Sequence, residues 1–484
     1  MRGANRHRGH LMVVSCVLSA GLLAATSPAA EAAPLYSPGA PGAGDPYFPD
    51  MGNGGYDVAH YDIRLAFSPG TGAIDATTTI LATATQNLSR FDLDLRDFLK
   101  VSNVTVDGRR AAFSQKHGQE LVIRPADKLD RGDRFVVIVD YAGVPEAVVD
   151  PDDAIEGWVP TDDGAFVVGE PQGSPGWFPV NDSLKDKATY DFAITVPAGK
   201  TVMANGILLG RDTAHGMTTW RWREDSPMVS YLATATNGTF QTRFDRPGGL
   251  RRYDAVDPEA REREDDPAGN PALGFQRLDP EPEIVRFFSG LYGEYPFESV
   301  GGIIDWAPFV GYALETQTKP NYERIPDAAT VVHELSHQWW GDQVTIATWP
   351  NIWLNEGFAT FSEWIYDERH GGPPAQERFD EDYATPEDSE DGQDLWFPAP
   401  AALPGPEDLF GTPVYDRGAM TLQALRVKVG DRTFFHLLRT WFRDNRDRNV
   451  TTADFVRLAE RESGQNLRAF FRVWLFEEGK PQSW

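Results

Sequence analysis

Cysteine is almost absent from this sequence. Among 484 residues the one cysteine is Cys16, which lies in an N-terminal segment that we predict to be removed. The mature chain would then contain none, which excludes disulfides, a cysteine-based zinc site and a cysteine nucleophile. The fold must therefore depend on buried cores or on a metal bound by other residue types.

Basic residues are scarce relative to acidic ones. The sequence has 45 Lys and Arg against 72 Asp and Glu, for a net charge of −27 at pH 7. A surface of that sign repels nucleic acid and anionic membranes, so neither is expected as a partner. The chain is 41% hydrophobic, and its length is sufficient for two or three separate cores.

Long apolar runs are also lacking, with one exception near the N-terminus. Three arginines precede an apolar run at about residues 11–25, and small residues follow it. This order is typical of a secretory signal peptide, which we place at residues 1–33 with cleavage near Ala32 or Ala33. Because the run is short for a membrane span, we expect a secreted protein whose mature chain has no stable membrane insertion.

The first half of the chain reads as β structure. Residues 34–55 are rich in Gly, Pro and Ala and are predicted to form a flexible leader. Apolar residues then alternate with polar ones in several runs, one of which is Phe135, Val137, Val139 and Tyr141. Period-two alternation predicts strands, so we expect an N-terminal β domain at residues 56–245. Residues 246–283 are charged and proline-rich, which predicts an inter-domain connection.

Beyond that connection the period changes toward 3.6 residues, which predicts a mainly helical domain at residues 284–484. One helix is predicted at residues 327–340, because Pro326 lies at its start and Gly341 follows it. A second is predicted at residues 352–369. Acidic, proline-rich residues 371–412 are predicted to be a surface loop, with helix again from about residue 414.

The first of these helices carries the sequence His333-Glu334-Leu335-Ser336-His337. Two His at positions i and i+4 project from nearly the same side of a helix, so both imidazoles can bind one Zn²⁺. Glu334 lies beside them, where it can act on a water at the metal. The alternative is a pair of surface His, but the apolar residues that flank the motif argue against it.

Glu356 is the best candidate for a third metal ligand. It follows His337 after 18 intervening residues and lies on the second helix, two residues after the core residue Leu354. Two residues correspond to about 200° around a helix, so Glu356 faces away from that core. Glu363 lies seven residues later on the same face. It either orients a ligand His through a hydrogen bond or is simply exposed.

This constellation resembles a known family. HExxH followed by Asn355-Glu356-Gly357-Phe358 is similar to the zinc aminopeptidases of the gluzincin clan, the alanyl aminopeptidase (aminopeptidase N) and leukotriene hydrolase family. The resemblance implies a multidomain α+β fold, with an N-terminal antiparallel β-sandwich-like domain and a thermolysin-like, mainly helical catalytic domain. It also implies one Zn²⁺ per chain. Because the chain ends soon after the catalytic domain would end, it resembles a shortened member without the usual C-terminal domain.

Three further segments carry the resemblance. The segment that contains Glu315 is similar to the family's Gly-x-Met-Glu-Asn motif, although Tyr312, Leu314 and Thr316 depart from it. The resemblance implies that Glu315 binds the substrate's α-ammonium group and that Glu170, in a matching segment of the β domain, is the second anchor. Tyr415 matches the family's Tyr-x-Lys/Arg-Gly segment and would donate a hydrogen bond to the oxyanion.

The function implied is a zinc metallo-aminopeptidase that hydrolyses the N-terminal bond of peptides or amino-acid amides. Glu334 would be the general base, and a substrate with a free N-terminus would be the partner. A thermolysin-type zinc endopeptidase is the main alternative, since it would share the metal site without needing the amine-binding pair. An epoxide hydrolase activity and a non-enzymatic scaffold with a relic zinc site are further alternatives.

Overall fold

The structure is a computed structural model that describes residues 35–116 and 118–482. The predicted signal peptide at residues 1–33 lies outside the described residues. Within the described part, no helix combines the length and the apolar character that crossing a membrane requires.

The β-rich first part contains nineteen strands in the described residues. In chain order they are β1 (Ser37–Pro38), β2 (Tyr56–Ser68), β3 (Ala73–Ala84), β4 (Leu88–Asp94), β5 (Lys100–Val106), β6 (Arg109–Arg110), β7 (Ala112–Lys116), β8 (Glu120–Arg124), β9 (Arg134–Gly143), β10 (Val148–Val149), β11 (Ile155–Pro160), β12 (Ala165–Val168), β13 (Ala188–Pro197), β14 (Thr201–Ala204), β15 (Ile207–Ala214), β16 (Met217–Met228), β17 (Ala235–Gly238), β18 (Gln241–Asp245) and β19 (Arg251–Val256).

Three sheets organise this part. An eight-stranded sheet has the order β15-β16-β13-β2-β3-β9-β5-β6, and its neighbours are antiparallel except for the parallel pair β13 and β2. A four-stranded sheet has the order β1-β4-β8-β7, and a five-stranded sheet has the order β10-β11-β12-β17-β14. In β2 the inward residues are buried and the outward ones mostly exposed, because side chains alternate between the faces of a strand. The β-rich N-terminal fold predicted from the alternation is confirmed.

The second part is mainly helical. Its short strands are β20 (Ser299–Val300), β21 (Ile303–Ile304), β22 (Ala313–Leu314), β23 (Asn321–Tyr322), β24 (Thr345–Ile346) and β25 (Asn449–Val450). Its helices are α1 (Pro271–Leu278), α2 (Glu281–Leu291), α3 (Ala328–Ser336), α4 (Trp353–Arg369), α5 (Ala375–Ala384), α6 (Glu390–Trp396), α7 (Gly418–Val429), α8 (Asp431–Asn445), α9 (Thr452–Ser463) and α10 (Arg468–Phe471). A six-stranded sheet has the order β18-β19-β21-β23-β22, with β20 beside β19 and β22 at its edge. Helices α1 and α2 lie between β19 and β20 in the chain, and the other helices follow β23.

Residues 36–55 differ from the flexible leader that we predicted. Phe48 and Met51 are buried, and the Tyr47 hydroxyl donates to the Leu403 carbonyl at 2.7 Å. The Asp45 carboxylate accepts from the Trp349 backbone N–H at 2.9 Å. The few apolar and aromatic residues among the glycines and prolines are therefore enough to anchor this segment.

The predicted connection at residues 246–283 and the predicted loop at residues 371–412 also contain regular structure. Strand β19 and helix α1 lie in the first, where the charged residues pair with one another, as Arg277 does with Glu262. Helices α5 and α6 lie in the second, where Phe379 and Trp396 are buried. In both segments a few widely spaced apolar side chains provide the buried contacts. The high content of charged residues and prolines did not indicate them.

The helix that carries the HExxH sequence is shorter than predicted. Helix α3 begins after Asp327, whose side chain accepts from the Thr330 N–H at 2.8 Å, and it ends at Ser336. The chain then turns, and Gly341 adopts a φ of +121°, a conformation that favours glycine. The Gly341 N–H bonds to the Val344 carbonyl at 2.9 Å, which closes the turn behind His337.

Candidate metal centre and active site

Helices α3 and α4 bring the three predicted metal ligands together. His333 and His337 lie one turn apart at the end of α3, and Glu356 lies in the first turn of α4. The Glu356 Oε2 atom is 3.2 Å from His333 Nε2 and 3.3 Å from His337 Nε2. Both His rings therefore direct the same nitrogen toward one carboxylate oxygen.

These distances fit a metal ion. A tetrahedral zinc ion with bonds of about 2.0–2.1 Å holds neighbouring ligand atoms roughly 3.4 Å apart. The donor atoms of His333, His337 and Glu356 all lie within 4.8 Å of one another. Two imidazole nitrogens and one carboxylate oxygen are also a donor set that zinc prefers, so the residues present fit the implied cofactor.

Each candidate ligand His also forms a hydrogen bond through its other ring nitrogen, Nδ1. His333 Nδ1 lies 2.6 Å from Glu363 Oε1, and His337 Nδ1 lies 2.8 Å from the Trp340 carbonyl oxygen. Such bonds fix the tautomer in which Nδ1 carries the proton and Nε2 is free to bind a metal. Glu363, for which the sequence allowed two interpretations, is thus in contact with the candidate ligand His333.

Without a cation, the three ligand groups perturb one another's ionisation. Burial lowers the pKa of His337, but the negative charges of Glu356 and Glu315, together with the hydrogen bond to Glu356, outweigh it and raise that pKa to about 9. Burial raises the pKa of Glu356, and the two imidazoles more than compensate, lowering it to about 2. The carboxylate is therefore charged near neutral pH, as metal binding requires.

The three ligands lie in a cavity of about 260 Å³. Glu334, Tyr415, Glu170 and Glu315 also line it, so the cavity collects the predicted site residues other than Glu363. The other residues that line the cavity are Asp152, Ala154, Tyr312, Ala313, Thr330 and Phe410.

Glu334 and Tyr415 flank the metal ligands. Carboxylate atoms of Glu334 and Glu315 lie within 4.8 Å of each other and of a His337 nitrogen. Burial raises the pKa of Glu334, the two His partly oppose this, and the result is about 8. A bound divalent cation would lower it. The Tyr415 ring lies 5.9 Å from the His333 ring, and burial holds the Tyr415 pKa well above its usual range, so the hydroxyl remains a donor.

A small apolar cluster explains why Glu170 and Glu315 meet. Val159, Phe166 and Val168 of the β-rich part pack against Ala307, Val310 and Leu314 of the helical part. Glu170 follows strand β12 by two residues, and Glu315 directly follows edge strand β22. The packing of β12 and β22 through this cluster therefore places both carboxylates at the same end of the cavity.

Both of these carboxylates are buried, and neither forms an ion pair with another described residue. Glu315 is 2% exposed, and its Oε1 accepts from the Tyr231 hydroxyl at 3.0 Å. Glu170 is 6% exposed, and its Oε1 has no hydrogen-bond partner among the described residues. Burial raises the pKa of Glu170 well above its usual range, and the negative charge of Glu315 adds to this. A cation placed between them would relieve both the desolvation and the repulsion.

Two glycines let the helix of Glu356 approach the segment of Tyr415. Tyr415 lies in a π-helical turn, Pro413–Arg417, that leads into α7. A Cβ added at Gly418 would lie 2.9 Å from the Gly357 Cα, so the helices cross where neither has a side chain. The buried Arg417 guanidinium donates to the backbone carbonyls of Trp396, Val473, Trp474 and Glu477, which fixes this turn.

Several lining residues were not predicted from the sequence. Thr330 lies one turn before His333 on α3, and this spacing is a signal that could have identified it. Phe410 and Asp152 lie in irregular segments outside the motifs, and nothing in the sequence around them indicates a place in the cavity. Tyr231 and Gln338, which hold Glu315 through its carboxylate and its carbonyl, reach it only through the tertiary fold.

Two segments of the chain match models of known protein domains. Residues 58–232 match the peptidase M1 N-terminal domain, and residues 307–474 match the peptidase family M1 domain. Aminopeptidase N from Streptomyces lividans is 31% identical over 158 residues, covering 31% of this chain and 18% of that protein. Aminopeptidase N from Lactobacillus delbrueckii subsp. lactis is 24% identical over 454 residues, covering 87% of this chain and 51% of that protein.

Among solved structures, an M1 zinc metallopeptidase from Deinococcus radiodurans is similar along nearly its whole length. It was solved as a mutant bound to the substrate Tyr-Ser-Ala, and it is 29% identical, with a TM-score of 0.79. The match covers 91% of this chain and 99% of that chain. The chain spans about half or less of the length of the curated relatives it matches.

Proposed function

The chain belongs to peptidase family M1, and from this premise we propose that it is a zinc aminopeptidase acting on peptides with a free N-terminus. The observation that carries the proposal is the pair of buried carboxylates, Glu170 and Glu315, in the same cavity as the His₂Glu group. The relatives named above are aminopeptidases and a peptide-bound metallopeptidase, which supports the same activity.

His333, His337 and Glu356 would hold the zinc ion. When bound, zinc supplies Lewis-acid polarisation of the scissile carbonyl and increases the acidity of a water molecule. The surrounding side chains would orient the ligands, transfer the proton and bind the substrate. Glu363 and the Trp340 carbonyl keep both imidazoles in the ligating tautomer through the bonds to Nδ1.

Glu334 is the proposed general base. It would take a proton from the attacking water and deliver it to the leaving amide nitrogen, as a base and then as an acid. The Tyr415 hydroxyl would donate a hydrogen bond to the carbonyl oxygen as negative charge develops there. The 5.9 Å separation of the Tyr415 and His333 rings supports a position beside the metal.

Glu170 and Glu315 would bind the α-ammonium group and thereby set which bond is cut. An N-terminal amine between them places the first peptide bond next to the metal ligands. A blocked N-terminus would leave two buried carboxylates without a counter-charge, which disfavours such substrates strongly. A thermolysin-type endopeptidase has no use for this pair, so the aminopeptidase is favoured over that alternative.

The test compares an amino-acid amide with its N-acetyl form, with and without a zinc chelator. We expect the free-amine substrate to be hydrolysed at least about a hundredfold faster, since a site built to bind a charged group rejects analogues lacking it. Chelation should abolish the activity and added zinc should restore it. Preferential cleavage of the acetylated substrate would identify an endopeptidase instead, and chelator-resistant activity would exclude the metal mechanism.

We further propose that the protein acts outside the cell after cleavage of its signal peptide behind Ala32 or Ala33. The proposal rests on the basic, apolar and small-residue order of that segment in the sequence. Mass spectrometry of protein recovered from the culture medium of its host should give an N-terminus at Ala33 or Pro34. Recovery of the uncleaved chain from the cell interior would contradict this.

A further inference from the structure

One carboxylate in the cavity has no role in the mechanism above. Asp152 lines the cavity and lies between β10 and β11, in the β-rich part. Its Oδ1 accepts from the Ala154 N–H at 3.1 Å, which restricts the side chain, and it forms no ion pair within residues 35–116 and 118–482. Its cavity neighbours include Ala154, Tyr312 and Phe410, which offer apolar surface.

The loop of Asp152 is tied to the segment that carries Glu170. The Gln172 side chain donates to Asp150 Oδ1 at 2.6 Å, and the Gln172 backbone N–H lies 3.1 Å from the carboxylate oxygens of Glu156. Asp152 therefore belongs to the wall on the Glu170 side of the cavity. A substrate whose amine binds Glu170 carries its first side chain on the adjacent carbon atom, so that side chain must lie near this wall.

Tyr312 closes the same wall from the other part of the molecule. Its hydroxyl donates to the Ile155 carbonyl at 3.1 Å and so joins the segment leading into β22 to the start of β11. Its ring thus lies between the two parts, beside the amine-binding end. The result is a pocket with apolar sides and a carboxylate at its wall.

We propose that Asp152 selects substrates whose N-terminal residue is arginine or lysine. The inference rests on the proposed function, because it uses the amine position set by Glu170 and Glu315. The aliphatic stem of the substrate residue would pack on Tyr312 and Phe410, and its guanidinium or ammonium group would pair with the Asp152 carboxylate. Hydrogen bonds between charged groups in a partly desolvated pocket are the strong ones, so the charge should dominate the preference.

Arginine and citrulline amides provide the test, because citrulline has nearly the same shape as arginine without its charge. We expect the native enzyme to hydrolyse arginine amide with a kcat/KM at least about tenfold above that of citrulline amide. Asp152→Asn should bring this ratio close to one. Asp153→Asn is the matched control, since the neighbouring Asp153 is exposed and does not line the cavity, and it should keep the native ratio.

A second readout keeps the inference separate from the proposed activity. Calorimetric titration of the zinc-loaded protein with L-arginine and L-citrulline measures the same selectivity without turnover, and the same variants should behave alike there. A protein that binds arginine selectively through Asp152 but hydrolyses no amide would refute the proposed function alone. If Asp152→Asn leaves the arginine-to-citrulline ratio of affinities and of kcat/KM at the native value, the role of Asp152 is overturned.

Discussion

Glu334 is the residue whose role can be separated most cleanly from metal binding. It lies between His333 and His337 in the chain, yet the zinc ligands we propose are those two His and Glu356, whose donor atoms lie within 4.8 Å of one another. Glu334→Gln should therefore retain one zinc per chain while kcat falls by about 10²–10⁴, the usual contribution of a general base. Elemental analysis and amide hydrolysis measure the two quantities on the same sample. Activity comparable to that of the native enzyme would contradict the assignment.

Glu363 tests whether the outer hydrogen bond matters for metal affinity. Its contact with His333 Nδ1 is 2.6 Å, and loss of such a partner typically weakens metal binding by about 10–100-fold. Glu363→Ala should show that loss in a competition titration against a zinc chelator. Glu377→Ala, which removes an exposed carboxylate, is the control and should bind zinc as the native chain does. Equal affinities for all three proteins would show that the contact between Glu363 and His333 does not contribute to zinc binding.

These residues differ in how far the sequence could predict them. The i, i+4 spacing identified His333 and His337, and helical geometry pointed to Glu356. Glu170, Glu315 and Tyr415 came only from the family resemblance, because they lie on three separate segments that the tertiary fold unites. Asp152 was not identified at all, since a turn residue reveals nothing of the cavity it will face.

At the scale of elements, the crossing of α4 and α7 determines how close Tyr415 lies to the metal ligands. Gly418→Ala would place a methyl group 2.9 Å from the Gly357 Cα, and backbone atoms cannot yield easily. We expect the two helices to separate, lowering the free energy of unfolding by about 1–3 kcal/mol. Because Tyr415 and Glu356 lie next to the crossing, kcat should fall at least about tenfold for a misplacement on the order of 1 Å.

The control for this substitution is Gly290→Ala, on helix α2. A Cβ at Gly290 meets nothing within 4 Å, so alanine should be neutral or should stabilise the helix by up to about 1 kcal/mol. Urea unfolding and amide hydrolysis compare the two variants directly. Native-like stability and activity in Gly418→Ala would show that the close approach has no consequence.

Element boundaries were predictable where local signals are strong and less so elsewhere. Helix α4 was predicted to within one residue at its start, and Gly371 and Gly372 marked its end. Helix α3 was predicted to continue through Trp339 to Trp340, because Gly341 follows as a typical helix terminator. Both tryptophans are buried, but by a turn whose geometry depends on Gly341. Helices α5 and α6 escaped prediction because their cores come from partners distant in sequence.

At the scale of the whole molecule, the acidic composition conceals a set of buried carboxyl groups. The net charge of −27 suggested a solvated acidic surface. Yet carboxyl groups that are at most 6% exposed occur in both parts of the chain, among them Glu156, Glu170, Asp182, Glu281 and Asp305. Composition cannot distinguish the two situations, because burial depends on which strands and helices meet. The consequence is a stability that should depend on pH in a direction opposite to that of ordinary salt-bridged acids.

Asp182 is the clearest case for testing that dependence. It is 1% exposed, and burial raises its pKa from 3.8 to about 7. The hydrogen bond from Ser230 and the charge of Arg96 oppose this shift, and the charge of Asp150 adds to it. A carboxyl group with a raised pKa binds its proton more tightly when folded, so its stabilising contribution is present at low pH and is lost as pH rises through about 7. Between pH 6 and pH 8 one such group should cost about 1.4 kcal/mol of unfolding free energy. Asp182→Asn should reduce the fall by that amount in urea unfolding with saturating zinc, whereas exposed Asp75→Asn should not. A variant that loses stability with pH as steeply as the native chain would mean that Asp182 is already ionised at pH 6.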